Sequence, residues 1–458
     1  MHYSIKIRDV LRLLLAAGGA SVLPLHRRAQ ARQDAGVEVL VIGAGIAGLA
    51  AAYLLDEAGY NVIVLEGRDR IGGRIWTDRS LNGIALDMGA SWIHGIEGNP
   101  TSELVAELGI ETVPTDYDNI EVYDTSGESV TPDESILDTL NEEIEAMAEE
   151  LEDDDAVSLG EGINQILAEG DYSDDELQTI NYLLSAVIEQ EMAADINDLS
   201  LQWWEESEEY PGGDVIFPGG YDQIFAVLND VEIDIRTGQI VQSIEYGADG
   251  VTVNTNGGTF EADYAIVTLP LGVLKAGDVE FDPPLPERKQ HAIQHLGMGV
   301  LNKVYFQFSE VFWDEDSDLI GYIAENKGEW AEFLNIYKYT GEPILLGFNA
   351  GSFGLEIESW SDSEIIESGM AVLRTIYGDD IPDPLAFLIT RWGSDSFAHG
   401  SYSSIAPGGT PEDYDAMAET VEDRLFFAGE ATSRDHPGTV HGALASGYRA
   451  AEAIMDEA

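Results

Sequence analysis

The sequence predicts an α/β protein organised around a parallel sheet, and three observations in residues 37–74 support this. The first is an apolar run at 39–42, which suits a strand buried on both faces. The second is the turn through Gly43, Gly45 and Gly48 into an Ala- and Leu-rich segment of helical character. The third is another apolar run at 62–65. Together these predict a strand, a glycine turn, a helix and a second parallel strand.

The three glycines have the spacing of a dinucleotide-binding turn. The first allows the tight turn, the second lets the backbone approach a pyrophosphate, and the third allows close helix–strand packing. The following helix N-terminus offers unpaired N–H groups to the phosphates. Glu66 ends the second apolar run, where its carboxylate can accept hydrogen bonds from a ribose and would repel a 2′-phosphate. We therefore expect a Rossmann-like domain that does not bind NADP.

The continuation of this stretch favours FAD over NAD. Arg68, Arg70 and Arg74 follow Glu66 directly, with Gly72-Gly73 before the last arginine, and provide a cationic approach to the pyrophosphate. Here the sequence resembles the flavin amine oxidase family, which includes polyamine oxidases, monoamine oxidases, L-amino acid oxidases and lysine-specific histone demethylases. The resemblance extends over nearly all of residues 37–457.

The resemblance implies a Rossmann-like FAD-binding domain interleaved in sequence with an α+β substrate domain. The segments expected to form the FAD-binding domain are 36–96, 215–275 and 388–458. The substrate-binding domain is expected from 97–214 and 276–387.

Residues 1–31 have the pattern of a signal peptide. Lys6, Arg8 and Arg12 precede an uncharged apolar run at 13–25 that is too short to span a bilayer, and 29–31 read Ala-Gln-Ala, as a cleavage site would. The pattern partly resembles a twin-arginine signal, with Ile7 in place of the first arginine. We expect export to the periplasm, the surface or the medium; a cytoplasmic protein is the alternative.

The charge of the chain is extreme, with 86 acidic and 22 basic residues and a net charge of −64. Such a surface repels phosphates and argues against a nucleic-acid partner. Because the acids are spread along the chain, adaptation to high salt is the expected cause. The chain has no cysteine, which excludes disulfides and a cysteinyl–flavin bond, so FAD is expected to be held noncovalently. No metal-ligand pattern is evident.

Residues 80–235 contain neither lysine nor arginine. A cavity built from this region would favour cationic substrates, although salt adaptation explains the same gap. Within it, Thr131-Pro132-Asp133-Glu134 predicts a helix start with Thr131 as N-cap. The apolar residues of that helix share one face at helical spacing: Ile136, Leu140, Ile144, Met147 and Leu151.

By resemblance, Lys303 in Leu301-Asn-Lys-Val304 is the lysine that holds a water at flavin N5. Trp392 and Tyr402, in the segment RWGSDSFAHGSYS, resemble the aromatic residues that wall the substrate cavity. His94 matches a histidine that animal-type polyamine oxidases place near the substrate amine. The resemblance also implies substrate contacts from Glu191 and Thr439.

The cofactor contacts follow from the glycine turn and from the segments that resemble the family's flavin-binding motifs, including 425–430 and 437–442. They are Gly43, Gly45, Ile46, Ala47, Gly48, Glu66, Gly67, Arg68, Gly73, Arg74, Gly89, Ala90, Ser91, Trp92, Ile240, Thr268, Pro270, Trp392, Gly429, Glu430, Thr439 and Val440.

The function that this pattern predicts is FAD-dependent oxidation of an amine, first of all a polyamine. The expected products are an imine, which hydrolyses to an aldehyde, and hydrogen peroxide from oxygen. An L-amino acid oxidase is the alternative and would need an arginine for the carboxylate, for which Arg288, Arg374 and Arg391 are candidates. An isoprenoid desaturase would need a long apolar tunnel, and a flavin-binding protein without turnover is the alternative from another class.

Overall fold

The computed structural model describes residues 36–152 and 155–457. The predicted signal segment, residues 1–31, therefore lies outside the described residues. The strands, in chain order, are β1 Glu38–Ile42, β2 Asn61–Leu65, β3 Thr77–Asp78, β4 Leu86–Asp87, β5 Trp92–Ile93, β6 Val113–Pro114, β7 Ile120–Tyr123, β8 Ser129–Val130, β9 Val215–Ile216, β10 Asp234–Arg236, β11 Val241–Gly247, β12 Gly250–Thr255, β13 Gly258–Ala262, β14 Tyr264–Val267, β15 Glu280–Asp282, β16 Leu296–Met298, β17 Leu301–Gln307, β18 Leu319–Tyr322, β19 Glu332–Asn335, β20 Ile344–Ala350, β21 Ala386–Ile389, β22 Ser403–Ile405 and β23 Leu425–Phe427.

The α-helices are α1 Ile46–Glu57, α2 Pro100–Leu108, α3 Ser135–Ala148, α4 Leu159–Glu169, α5 Asp174–Leu183, α6 Gln190–Met192, α7 Leu271–Ala276, α8 Glu287–His295, α9 Tyr337–Thr340, α10 Gly351–Glu358, α11 Asp362–Tyr377, α12 Pro411–Ala418 and α13 Val440–Glu457. A π-helix, Leu184–Glu189, joins α5 to α6, and 3₁₀ helices cover Ile196–Asp198, Tyr221–Asp230 and Glu430–Thr432. Among the described helices, none is both long and apolar enough to cross a membrane.

A five-stranded parallel sheet carries the predicted glycine turn. Its strand order is β10-β2-β1-β14-β23, so segments far apart in the chain form one sheet. Residues 39–42 of β1 are buried, as their apolar sequence predicts, and α1 and α13 pack together over one face of the sheet. The expected βαβ unit is therefore present, with the turn at the carboxyl end of β1.

A second, seven-stranded sheet has the order β21-β17-β20-β19-β18-β7-β8. Neighbouring strands are antiparallel except β18 and β7, which are parallel. One face of this sheet packs on α10 and α11 through an aromatic-rich core that includes Phe306, Trp330 and Phe333. The other face packs partly on a second core that includes Leu86, Met88 and Ile216, and its remaining part lines a cavity.

The acidic region after residue 130 is helical, but its first helix starts later than predicted. Helix α3 begins at Ser135 rather than after Thr131, because the Asp133 carboxylate accepts hydrogen bonds from the Ser135 N–H (3.2 Å) and hydroxyl (2.6 Å) and forms a turn there. The helix ends at Ala148, so Leu151 lies beyond it. The predicted apolar face nevertheless packs into one core with α4 and α5.

Candidate active site

One large cavity, of about 1310 Å³, lies between the carboxyl ends of the parallel strands and part of the second face of the seven-stranded sheet. The residues that the sequence assigned to the cofactor, the substrate or catalysis line it, with two exceptions. These are Gly48, which lies inside the turn, and Arg70. Residues from positions 42 to 443 meet around this space, so the cavity is created by tertiary folding.

Two of the three positions in the turn require glycine for the protein's own structure, and the third leaves open space beside the backbone. Gly43 has φ of 106°, and a Cβ on Gly48 would lie 2.0 Å from the Gly43 carbonyl oxygen. A Cβ on Gly45, in contrast, would have no atom of the described residues within 4 Å. Because Gly45 also lines the cavity, its bare backbone forms a cradle that a ligand can approach closely.

Glu66 is buried at the end of β2, and backbone groups hold its carboxylate in place. One carboxylate oxygen accepts the Ala44 N–H at 2.7 Å, and the other accepts the Arg68 N–H at 2.8 Å. Each oxygen retains a lone pair for a further donor such as a ribose hydroxyl. The geometry therefore fits the nucleotide contact expected of this acid.

The three arginines after Glu66 do not act together. Arg68 lines the cavity but forms a bidentate ion pair with Asp395, at 2.9 and 2.8 Å, beneath the Phe397 ring. Arg70 differs from the expectation: its guanidinium donates to the Ile71 and Gly73 carbonyls and does not line the cavity. Because these hydrogen bonds hold its guanidinium within its own turn, Arg70 does not reach the cavity to bind a phosphate. Arg74 remains at the cavity wall.

Glu430 joins the far end of the chain to this wall. Its carboxylate accepts hydrogen bonds from Arg74 (2.8 Å), from the Ser403 hydroxyl (2.6 Å) and from the Gly438 N–H (3.0 Å). The Thr439 hydroxyl donates to the His436 carbonyl and accepts the Gly442 N–H, so it is engaged in capping α13 although the residue lines the cavity. Glu430 therefore holds Arg74 and two distant segments of the chain together at the cavity wall.

Lys303 lies on β17 with its side chain 3% exposed. Its Nζ donates to the carbonyls of Asp87 (3.0 Å) and Gly89 (2.6 Å) and to the Ser91 hydroxyl (2.6 Å), and it lies 5.6 Å from the Trp92 ring centre. Three acceptors suit an ammonium group. Burial lowers the pKa of Lys303 to about 8, while the negative charge of Asp87 opposes that shift.

Asp87 is a buried partner of Lys303 that the sequence did not single out. Burial raises its pKa to about 6, against hydrogen bonds from the Thr77 hydroxyl and the Tyr221 N–H and the charge of Lys303. Its backbone carbonyl accepts both Lys303 and the Tyr305 hydroxyl. Its position two residues before Gly89, which the sequence assigned to the cofactor, was the available signal.

Trp392 is buried, and a buried amide positions it. Its backbone N–H donates to Asn302 Oδ1 at 2.9 Å, and its indole N–H donates to the Met88 carbonyl at 3.1 Å. Asn302 directly precedes Lys303 on β17, so the same strand positions both the Trp392 backbone and the lysine.

Tyr402 forms another part of the wall, with its hydroxyl donating to the Gln190 carbonyl at 2.8 Å. Burial raises its pKa, and so does nearby Glu191. Glu191 itself lines the cavity, and burial together with Glu209, Glu205 and Asp214 raises its pKa against the opposing influence of His94.

His94 lines the cavity with 59% of its side chain exposed, and its Nδ1 lies 2.7 Å from the Asp214 carboxylate. Burial alone would raise the pKa of Asp214, but hydrogen bonds from His94, Gly95 and Tyr117 lower it. Asp214 was missed in the sequence because acids are so frequent there.

Glu332 is a further residue that only the sheet register reveals. Lys303 lies opposite Phe348 across β17 and β20, and Phe333 lies opposite Gly347, so the same register places Glu332 beside Phe348. All three side chains line the cavity. Burial raises the pKa of Glu332 to about 8. At a strand spacing of about 4.8 Å, Lys303 and Glu332 are separated by roughly 10 Å along the cavity floor.

The two ends of the cavity differ in charge. The arginines at its wall, Arg68 and Arg74, lie at the end formed by the glycine turn. The acids of the opposite end are Asp118, Glu134, Asp138, Glu191, Glu206, Glu208, Glu209, Asp214 and Glu332. Among the described residues no cluster of three histidines and acids is suited to a metal ion. The cavity therefore combines a phosphate-compatible end with an end that attracts cations.

A parallel sheet with this glycine turn, opening on an aromatic and acidic cavity, defines a dinucleotide-binding protein with an adjoining ligand site. The family model described as flavin containing amine oxidoreductase matches residues 46–455. The chain belongs to that family, which implies a flavin cofactor, FAD.

Two relatives from plants illustrate the range of the family. Polyamine oxidase 2 of Arabidopsis thaliana is 38% identical over 433 residues, which cover 90% of this chain and 87% of that protein. Lysine-specific histone demethylase 1 homolog 1 of Oryza sativa subsp. japonica is 39% identical over 443 residues, covering 91% of this chain. The chain spans only about half, 52%, of that demethylase.

The fold is also similar to a solved structure of a putrescine oxidase double mutant. The TM-score is 0.74, with 22% sequence identity, and the match covers 92% of this chain and 99% of that structure.

Proposed function

We propose that this protein is an amine oxidase with noncovalently held FAD, acting on polyamines or diamines. The observation that carries the proposal is the single cavity in which the Gly45 cradle and the acidic, aromatic end meet. Bound FAD would accept a hydride from the carbon beside the amine nitrogen and pass electrons to oxygen, giving hydrogen peroxide. The resulting imine would hydrolyse to an aldehyde.

The residues divide this work between holding the cofactor and holding the amine. Glu66, the Gly45 backbone and Arg74 would hold the nucleotide. Trp392 and Tyr402 would exclude water beside the flavin. Lys303 would act as the lysine that the family resemblance implies near flavin N5, and its ammonium is held by the Asp87 and Gly89 carbonyls and the Ser91 hydroxyl.

The acidic end supports a substrate with more than one positive charge. Glu191 lies beside Tyr402, and Glu332 lies two strands from Lys303 along the floor. An amine whose reacting carbon lies near Lys303 can therefore place a remote ammonium at Glu332. A carboxylate in this buried setting gains a partner for its charge when such a cation binds.

The L-amino acid oxidase alternative has weaker support. It needs an arginine at the cavity, but Arg288, Arg374 and Arg391 are paired with Glu419, Asp383 and Asp362, and none of the three lines it in the described structure. The flavin-binding protein without turnover remains the alternative that the experiment must separate.

The test is an anaerobic screen in high salt, in which bleaching of the flavin absorbance reports reduction. Spermine, spermidine and putrescine should bleach the flavin faster than monoamines of matched length, and L-amino acids should not. Bleaching by amino acids alone would overturn the polyamine proposal. A flavin that no amine reduces would favour a binding protein. Release of FAD on acid precipitation should confirm the noncovalent mode.

A further inference from the structure

The wall of the cavity beside Tyr402 is made where a helix changes its winding. Helix α5 ends at Leu183, the π-helix covers Leu184–Glu189, and Gln190 starts α6. The carbonyl that accepts the Tyr402 hydroxyl belongs to Gln190, and the next residue is the cavity-lining Glu191. Single π-turns of this kind are found frequently at functional sites.

Glu189 is the last residue of the π-helix, and its carboxylate is buried, with the residue only 4% exposed. It accepts hydrogen bonds from the Ser185 hydroxyl (2.9 Å), the Ile196 N–H (3.0 Å) and Lys327 Nζ (2.6 Å). Lys327 comes from the segment between β18 and β19, far away in sequence. A buried carboxylate with three donors, one of them charged, holds the helix and the following turn together.

The turn that Glu189 holds also contacts the strand of Lys303. Ala193 has a positive φ of 52°, and its carbonyl accepts the Val300 N–H at 2.6 Å, immediately before β17. Through this turn, residues 189–196 contact both the Tyr402 wall and the base of the Lys303 strand.

We propose that Glu189 and Lys327 form a positioning pair that sets how the cavity holds its amine. The proposal rests on the proposed function. The pair keeps the π-helix wound, so that the Gln190 carbonyl meets Tyr402 and the Glu191 carboxylate enters the cavity. If this segment wound as a regular α-helix, the extra residue that the π-turn accommodates would shift the helical register of the residues after it. Because one residue corresponds to about 100° of rotation, Gln190 and Glu191 would leave these positions.

The experiment compares Lys327→Met with Lys338→Met. Both lysines are partly exposed and pair with a buried carboxylate, but the partner of Lys338 is Asp318, and neither of these two residues lines the cavity. Lys327→Met should raise KM for diamines about 10-fold and change kcat by less than about 2-fold, as expected for lost substrate positioning. Lys338→Met should change neither, and Lys327→Arg should restore KM.

A second measurement does not depend on turnover. With 3-fluorotyrosine at position 402, the ¹⁹F resonance should move in Lys327→Met and in Glu189→Gln, and remain in place in Lys338→Met. Glu189→Gln keeps a side chain of nearly the same size and serves if Lys327→Met does not fold. If the native enzyme oxidises amines but KM and the resonance are unchanged in both variants, the pair has no positioning role. If the native protein oxidises no amine while the resonance still moves, the proposed function fails and the structural part of this inference stands.

Discussion

The two ends of the cavity use their carboxylates in opposite ways. At the end formed by the glycine turn, the nucleotide end, Glu66 and Glu430 accept hydrogen bonds from protein donors: backbone N–H groups for the first, and Arg74, Ser403 and Gly438 for the second. At the opposite, acidic end, where we propose that the amine binds and which we call the amine end, burial raises the pKa values of Glu191 and Glu332, with neighbouring acids adding to the effect at Glu191. The protein itself thus positions the carboxylates of the nucleotide end, whereas a bound cation would stabilise the charged form of the carboxyl groups at the amine end.

The largest expected effect is at the glycine turn. Gly45→Ala should weaken FAD binding about 100-fold or more, because the new methyl group enters the space that the backbone leaves to the ligand. The free protein should keep its melting temperature, because no described atom lies within 4 Å of the new Cβ. Titration of the quenched FAD fluorescence measures the first quantity and thermal unfolding the second.

Gly48→Ala is the matched variant of that turn. Its Cβ would meet the Gly43 carbonyl oxygen at 2.0 Å, so it should lower the melting temperature of the free protein itself. Equal melting temperatures for the two variants would show that this division between ligand space and protein packing is wrong.

At the amine end, Lys303→Met should slow reoxidation of the reduced flavin by oxygen about 10- to 100-fold while FAD stays bound. Stopped-flow mixing of the reduced enzyme with oxygen measures this rate. The control is Lys289→Met, at a second buried lysine whose Nζ donates to the Ala416 and Met417 carbonyls and which does not line the cavity. It should lower stability and leave reoxidation unchanged; the same oxygen rate in all three proteins would remove Lys303 from the reaction.

A smaller effect should appear in the pH dependence. Burial raises the pKa of Glu332 to about 8, so its carboxyl group is uncharged below that pH and charged above it. The KM for a diamine should therefore fall as the pH rises through about 8, relative to a monoamine of matched length, which corrects for deprotonation of the reacting nitrogen. The titratable side chains on this part of the cavity wall are the acids Glu134, Asp138 and Tyr182, and Lys303, whose pKa is also about 8, lies farther along the floor. Titration of Lys303 affects diamine and monoamine alike, so the monoamine comparison corrects for it as well.

Glu332→Gln should abolish that difference in slope and raise the diamine KM about 10-fold at high pH. If the variant discriminates diamines from monoamines as the native enzyme does at every pH, Glu332 does not hold the remote ammonium.

The smallest effect is expected from the ion pair of Arg68 with Asp395. Asp395→Asn should speed FAD dissociation only about 2- to 5-fold, because the pair is partly exposed and the Phe397 ring still covers Arg68. Release of FAD into excess apoprotein measures this rate, and a change above 50-fold would mean that the pair governs cofactor retention.

The local parts of the site could be predicted from the sequence. The apolar runs identified β1 and β2, and the glycine spacing identified the turn between them, because both patterns describe neighbouring residues. Lys303, Tyr402 and Trp392 were expected at the site from the family resemblance, and all three line the cavity. The helix start at Thr131 was wrong because the Asp133 side chain forms its own turn, a competition between local hydrogen bonds that the cap pattern does not resolve.

The sequence by itself determined the dinucleotide-binding unit, since strand, turn and helix are encoded within about forty residues. Only the tertiary structure decided which acids of this very acidic chain matter. Glu332 reaches the cavity through the register of β19 on β20, and Glu189 meets Lys327 across 138 positions. Charge and polarity are visible at each position, but the burial and the partner that give a carboxylate its role come from distant segments.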